Sequence, residues 1–145
     1  MEDSVRRGDA GRARVLLADD HPALLDRVST LLAHEFSVIG TVTTGAQLVE
    51  AEAALHPDVV VVDISMPGMS GLEAAGQIRR RGSRVVVVYL SAHAEDDIVD
   101  AAWQAGALGY VTKTSLVRDL VPAIRSALEG RRFLSVPPDS GSRAS

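Results

Sequence analysis

Five polar residues each stand directly after an apolar run of strand type: Asp19, Asp20, Asp63, Ser91 and Lys113. Three clustered carboxylates would repel one another, and a hard divalent cation such as Mg²⁺, which prefers carboxylate and carbonyl oxygens, would relieve that repulsion. A lysine adds a fixed positive charge, and a hydroxyl can donate a hydrogen bond to an anion. Together these groups are suited to stabilising a phosphoryl group on a nucleophilic carboxylate, with Asp63 as the candidate nucleophile.

Each of these residues, taken singly, has a simpler interpretation. Asp19 and Asp20 could cap the next helix, Ser91 could be an N-cap, and Lys113 could be a surface charge. The chemical interpretation therefore depends on whether the fold brings all five to one place.

Two kinds of segment alternate along the chain and predict that fold. Strands are predicted at residues 14–18, 36–42, 58–62, 84–90 and 107–112. Between and after them, apolar residues recur every three or four positions, which is the pattern of one helix face. Five strands alternating with five helices predict an α/β fold with a parallel sheet covered on both faces. In such sheets ligands bind at the carboxyl ends of the strands, where the five polar residues stand.

Composition narrows the class of protein. The chain has 145 residues, 46% of them hydrophobic, which suits one domain with a core of its own. It has no cysteine, which excludes a disulfide framework and a cysteine nucleophile. A net charge of -4 argues against direct nucleic-acid contact, and no apolar run is long enough to span a membrane. A cytoplasmic protein is expected, with a disordered tail at 1–13 and a linker or tail at 131–145.

Four blocks of sequence carry a family resemblance: ADDHP at 18–22, VVDISMPGMSG at 61–71, VVYLSAH at 87–93 and GYVTK at 109–113. In this order they resemble the receiver domain of bacterial two-component response regulators, in particular the NarL/LuxR-type subfamily. The resemblance covers residues 14–130 and implies a flavodoxin-like fold with strand order 2-1-3-4-5.

The resemblance implies roles for the acids and the lysine. Asp63 would be the phosphoacceptor, and Asp19 and Asp20 would hold Mg²⁺ together with Asp63. The backbone carbonyl of Ser65 would be a further metal ligand. Lys113 would be the lysine that forms a salt bridge at the site.

The resemblance also implies a conformational switch. Ser91 would be the hydroxyl that turns toward the phosphoryl group, and Tyr110 the aromatic residue whose inward or outward orientation follows it. Ser65 and His93 occupy positions that vary in the family and tune the rate of dephosphorylation.

The implied function is a phosphoacceptor switch, not an enzyme, with at most slow self-dephosphorylation. A sensor histidine kinase would phosphorylate it, and the output would be transcription through a LuxR-type DNA-binding domain that these residues do not include. The alternative is a stand-alone receiver that acts by protein–protein interaction. A homodimer could form through the fourth helix, fifth strand and fifth helix, or through the first and fifth helices.

Two other classes are less favoured by the residues. A phosphatase of the haloacid dehalogenase kind carries a second Asp two residues after its nucleophile, where this chain has Ser65. Such an enzyme also places its nucleophile after the first strand, whereas Asp63 follows the third. A flavodoxin-like FMN binder needs a Ser/Thr-rich phosphate loop after the first strand, and the sequence DDHP found there would repel a phosphate.

The remaining predictions concern the effect of Pro122 on its helix and the roles of Trp103 and the histidines. Pro122 falls within the fifth helical pattern, so this helix is predicted to bend or to start no earlier than about Asp119. Trp103 is predicted to be packing or interface surface. The four histidines, which show no metal-ligand spacing, are His21, His34, His56 and His93.

Overall fold

A computed structural model describes residues 11–93 and 95–135. Most of the predicted tail at 1–13 and residues 136–145 of the predicted linker lie outside the described residues. The strands are β1 Arg14–Ala18, β2 Ser37–Val42, β3 Val59–Asp63, β4 Val86–Ser91, β5 Gly109–Thr112 and β6 Phe133–Leu134. The α-helices are α1 Pro22–Leu32, α2 Gly45–Leu55, α3 Gly71–Arg80, α4 Asp96–Gln104 and α5 Leu116–Leu128.

The strands form one parallel sheet in the order β2-β1-β3-β4-β5-β6. The predicted α/β class and the order 2-1-3-4-5 are therefore confirmed. The bounds of β1 are as predicted, and those of β2 to β5 differ from the predicted ones by one or two residues. Two of these differences concern the site. Asp63 and Ser91 are the last residues of β3 and β4, so a strand, and not a loop, holds each backbone.

Alternating residues along a strand belong to two separate hydrophobic cores, one on each face of the sheet. In β3, Val59 and Val61 face one core, and Val60 and Val62 face the other. Helices α1 and α5 cover the first core, and α2, α3 and α4 cover the second. Burial on both faces explains the run of valines, because a half-exposed strand would alternate apolar with polar residues. Within the described ranges, no helix combines the length and the apolar character that crossing a membrane requires.

The sixth strand lies in the segment that was predicted to be a linker or tail. Phe133 and Leu134 pair with Gly109 and Tyr110 of β5. The next residue, Ser135, is buried. The sheet therefore includes two residues beyond residue 130, while the domain bounds 14–130 stay a prediction.

Helix α5 tests one of the two outcomes predicted for Pro122, a late start or a bend. The helix begins at Leu116, so a start no earlier than about Asp119 is wrong. An interior proline costs about 3 kcal/mol. Leu116 and Leu120 are both buried on the sheet, and burying one such side chain contributes roughly 1.5–3 kcal/mol, so packing of the first turns offsets the proline. A bend at Pro122 stays a prediction.

Candidate functional site

The parallel sheet brings the predicted site residues to one edge. Asp19 follows β1, Asp63 ends β3, Ser91 ends β4 and Lys113 follows β5. The register places Asp63 beside Leu90, the residue before Ser91, so the ends of β3 and β4 are level. Short connections hold each side chain close to a strand whose backbone is fixed on both sides, which gives the site a rigid base.

Lys113 bridges two buried carboxylates. Its Nζ atom lies 3.0 Å from Asp63 Oδ2 and 3.0 Å from Asp19 Oδ2. Asp19 is only 1% exposed and Asp63 2%, so water solvates both carboxylates poorly and the ammonium group replaces part of that solvation. One positive charge between two buried carboxylates leaves the site net negative, provided that both acids are ionised.

The pKa values of this pair follow from burial and hydrogen bonding. Burial raises the pKa of Asp63, and the hydrogen bonds from Lys113 and from the Ser65 backbone N–H only partly offset that rise. For Lys113, burial acts against the charged form, but Asp19 and Asp63 together outweigh it and raise the pKa of the ammonium group. Lys113 therefore stays charged, as its bridging position requires.

The acids offer oxygen atoms that fit a hard cation. Ligand atoms of Asp19, Asp20, His21 and Asp63 all lie within 4.8 Å of one another. Asp19 Oδ2 and Asp20 Oδ1 are buried, 3.0 Å from Lys113 Nζ and from His21 Nδ1 respectively, and within the described part of the chain neither has a hydrogen bond of ordinary geometry. Buried carboxylate oxygens with spare lone pairs are what Mg²⁺ binds, so the residues present fit this ion.

Ser65 lies at the site through its backbone. Its N–H group donates a hydrogen bond of 3.0 Å to Asp63 Oδ1. This bond fixes the orientation of the Asp63 carboxylate and leaves Oδ2 toward Lys113. The role of the Ser65 carbonyl as a metal ligand stays a prediction.

His21 contacts the acid pair, although the spacing of the histidines gives no metal-ligand pattern. Its Nδ1 atom lies 2.9 Å from Asp19 Oδ1 and 3.0 Å from Asp20 Oδ1, and its backbone N–H donates to the same Asp19 oxygen. The ring is 65% exposed. Its position directly after two aspartates was the signal that could have placed it here.

Ser91 and Tyr110 meet at the backbone of His93. The Ser91 hydroxyl accepts a hydrogen bond of 3.0 Å from the His93 N–H, and the Tyr110 hydroxyl donates one of 2.7 Å to the His93 carbonyl. Tyr110 is fully buried, which is its inward orientation. Burial raises the pKa of Tyr110 even though the Ser91 side chain acts against it. The phenol is therefore a hydrogen-bond donor and not a phenolate at neutral pH.

Gly71 is a site residue to which the sequence pattern gave no role. A Cβ atom there would lie 2.2 Å from the carbonyl oxygen of Asp63. The Gly71 N–H donates to the Ile64 carbonyl at 2.8 Å, so α3 starts in direct contact with the end of β3. A glycine at the start of a helix, after a Pro-Gly turn, was the available signal. Gly71 thus allows α3 to hold the Asp63 backbone in place.

The fold and this edge define a receiver of phosphorylation signals, and comparison with known proteins agrees. The response regulator receiver domain family matches residues 15–125. The chain belongs to this family.

Relatives place it among regulators of the NarL/LuxR type. The nitrate/nitrite response regulator NarL of Escherichia coli K12 is 39% identical over 127 residues, covering 85% of this chain and 58% of that protein. The chain thus spans less than three fifths of the length of this curated relative. A LuxR-family response regulator from Aurantimonas sp. SI85-9A1 superimposes with a TM-score of 0.83 at 32% identity, covering 91% of this chain and 94% of that one.

A third relative was solved with a phosphoryl mimic. The isolated REC domain of RcsB from Salmonella enterica serovar Typhimurium, in the presence of BeF₃⁻, superimposes with a TM-score of 0.79 at 26% identity. The match covers 92% of this chain and 98% of that one. Membership of this family favours the receiver class over the phosphatase and FMN-binding classes.

The close contact at Gly71 predicts a position-specific effect of alanine. Gly71→Ala should lower the free energy of unfolding by about 1–3 kcal/mol, because the new methyl group forces α3 away from the end of β3. Gly76→Ala is the matched control in the same helix. There a Cβ meets only the end of the Arg80 side chain at 3.4 Å, and the change should stabilise by roughly 0.5–1 kcal/mol. Urea unfolding measures both, and equal effects of the two variants would contradict the contact.

Proposed function

We propose that Asp63 of this chain accepts a phosphoryl group from a sensor histidine kinase and that the resulting acyl phosphate switches the conformation of the domain. The observation that carries the proposal is the Lys113 ammonium group between the buried carboxylates of Asp19 and Asp63. An isolated surface aspartate would have neither the burial nor the fixed positive charge.

In the proposed reaction a carboxylate oxygen of Asp63 attacks the phosphorus atom. A P–O bond forms as the P–N bond of the kinase phosphohistidine breaks, and the electron pair of that bond returns to the imidazole. Mg²⁺, held by Asp19, Asp20, Asp63 and the Ser65 carbonyl, would neutralise charge on the phosphoryl oxygens. Lys113 is already within ion-pair distance of Asp63 and supplies a second positive charge to the same oxygens.

The proposed switch runs through Ser91 and Tyr110. A phosphoryl oxygen on Asp63 would accept a hydrogen bond from the Ser91 hydroxyl and draw it toward the site. Ser91 Oγ is now bonded to the His93 N–H, and Tyr110 to the His93 carbonyl, so a movement of Ser91 changes the environment of both. The phosphoryl group would thereby favour the buried orientation of Tyr110 over other orientations in a pre-existing equilibrium.

Turnover and output are proposed from the relatives. Self-dephosphorylation would be slow, with Ser65 and His93, both at the rim of the site, setting its rate. The output would be transcription through a LuxR-type DNA-binding domain in the cytoplasm, as the names of the relatives suggest. Dimers would form through α4, β5 and α5, or through α1 and α5.

The first test is chemical phosphorylation. With acetyl phosphate and Mg²⁺, intact mass spectrometry should show one added phosphoryl group, and chelation of Mg²⁺ should abolish it. Asp63→Asn should remove the adduct, because an amide lacks the nucleophilic carboxylate. Asp100→Asn, on the exposed part of α4, makes the same charge change away from the site and should be labelled like wild type. A labelled Asp63→Asn variant would refute the assignment.

The second test separates phosphorylation from switching. Ser91→Ala should still be labelled at Asp63 but should lose most of the NMR shifts that beryllofluoride induces around Tyr110 and α4, because the hydroxyl that links them is gone. Ser91→Thr keeps the donor and should retain these shifts. If Ser91→Ala responds like wild type, the hydroxyl has no part in the coupling.

A further inference from the structure

Residues 132–135, which we call the exit segment, lie beside β5, the strand that contains Tyr110. The Phe133 N–H donates to the Leu108 carbonyl at 2.9 Å, and the Ser135 N–H donates to the Tyr110 carbonyl at 2.8 Å. The exit segment is therefore bonded to the backbone of the residue proposed to switch.

A side-chain route runs parallel to this backbone contact. The guanidinium carbon of Arg132 lies 4.8 Å from the centroid of the Trp103 ring, which is cation–π geometry. The Trp103 ring in turn meets the Tyr110 ring edge to face, with centroids 6.5 Å apart and planes at 61°. Arg132, Trp103 and Tyr110 thus form a continuous row of side-chain contacts.

The far end of the exit segment is fixed on α5. Ser135 Oγ donates a hydrogen bond of 2.5 Å to Asp119 Oδ2, and both residues are buried. A hydrogen bond from Arg118 keeps the pKa of Asp119 below its ordinary value despite burial, and the bond from Ser135 acts in the same direction. The segment is therefore held at both ends, by Arg132 on α4 and by Ser135 on α5.

Arg132 and Ser135 lie beyond residues 15–125, the range that the family model matches. We infer that Arg132 is a positioning residue for the switch: its contact with Trp103 stabilises buried Tyr110, so a phosphoryl group on Asp63 tightens the exit segment against β5. The inference rests on the proposed function, in which the phosphoryl group favours buried Tyr110. Coupling of this kind is reciprocal, so loosening the exit segment must weaken binding of the phosphoryl mimic.

Arg132 is exposed, so its replacement should leave the domain folded. The experiment titrates beryllofluoride, in saturating Mg²⁺, into wild type, Arg132→Ala, Arg132→Lys and Arg131→Ala, and follows the Ser65 amide by NMR. Arg132→Ala should bind beryllofluoride on the order of two- to fivefold more weakly, which is the factor that one exposed cation–π contact supplies. Arg132→Lys keeps the cation and should restore much of the affinity. Arg131, paired with Glu129, is the matched control and should leave the affinity unchanged.

A second measurement tests whether the exit segment tightens against β5. Exchange of the Ser135 amide hydrogen should slow when beryllofluoride binds wild type, and should slow less in Arg132→Ala. A purely structural role would lower stability but leave the beryllofluoride affinity as in wild type, and that result overturns the inference. Tighter binding by Arg132→Ala overturns it as well, because the contact would then favour the other state. If wild type itself does not bind beryllofluoride with Mg²⁺, the proposed function fails and the inference falls with it.

Discussion

One ammonium group between two buried carboxylates is the interaction on which the site depends. Asp19 and Asp63 end up nearly inaccessible to water, where an unpaired carboxylate is strongly destabilising. Lys113 lies 3.0 Å from an oxygen of each and offsets part of that cost. One ammonium group cannot balance the negative charges of three carboxylates, those of Asp19, Asp63 and Asp20. The site therefore still attracts a divalent cation.

The rest of the molecule can be understood as the means of holding these three side chains in place. Three parallel strands end at one edge and carry Asp19, Asp63 and Lys113 at or just past their last residues. Valines that are buried on both faces keep β3 fixed, and Gly71 lets α3 contact the Asp63 backbone. The same edge extends to Ser91 and, through His93, to Tyr110. Ser91, at the edge that holds Asp63, and Tyr110, in the second core, are thus linked through the backbone of one residue.

Much of this could be predicted from the sequence because the signals are local. Uninterrupted β-branched runs mark the central strands, and a polar residue at the end of each run marks the site. The features that were missed depend on contacts between distant parts of the chain. β6 has two residues and no periodicity of its own, and it exists only because β5 offers a free edge. Pro122 argued locally for a late start or a bend of α5, and burial of Leu116 and Leu120 outweighed it at the start of the helix.

The most direct test of this account is a crystal structure of the chain grown with Mg²⁺ and beryllofluoride. The account predicts beryllofluoride on the Asp63 carboxylate. It predicts a metal ion held by Asp19, Asp20 and Asp63, with Lys113 contacting a fluorine atom of the adduct. A structure in which the metal ion and the beryllofluoride lie elsewhere, while Lys113 still bridges Asp19 and Asp63, would contradict it.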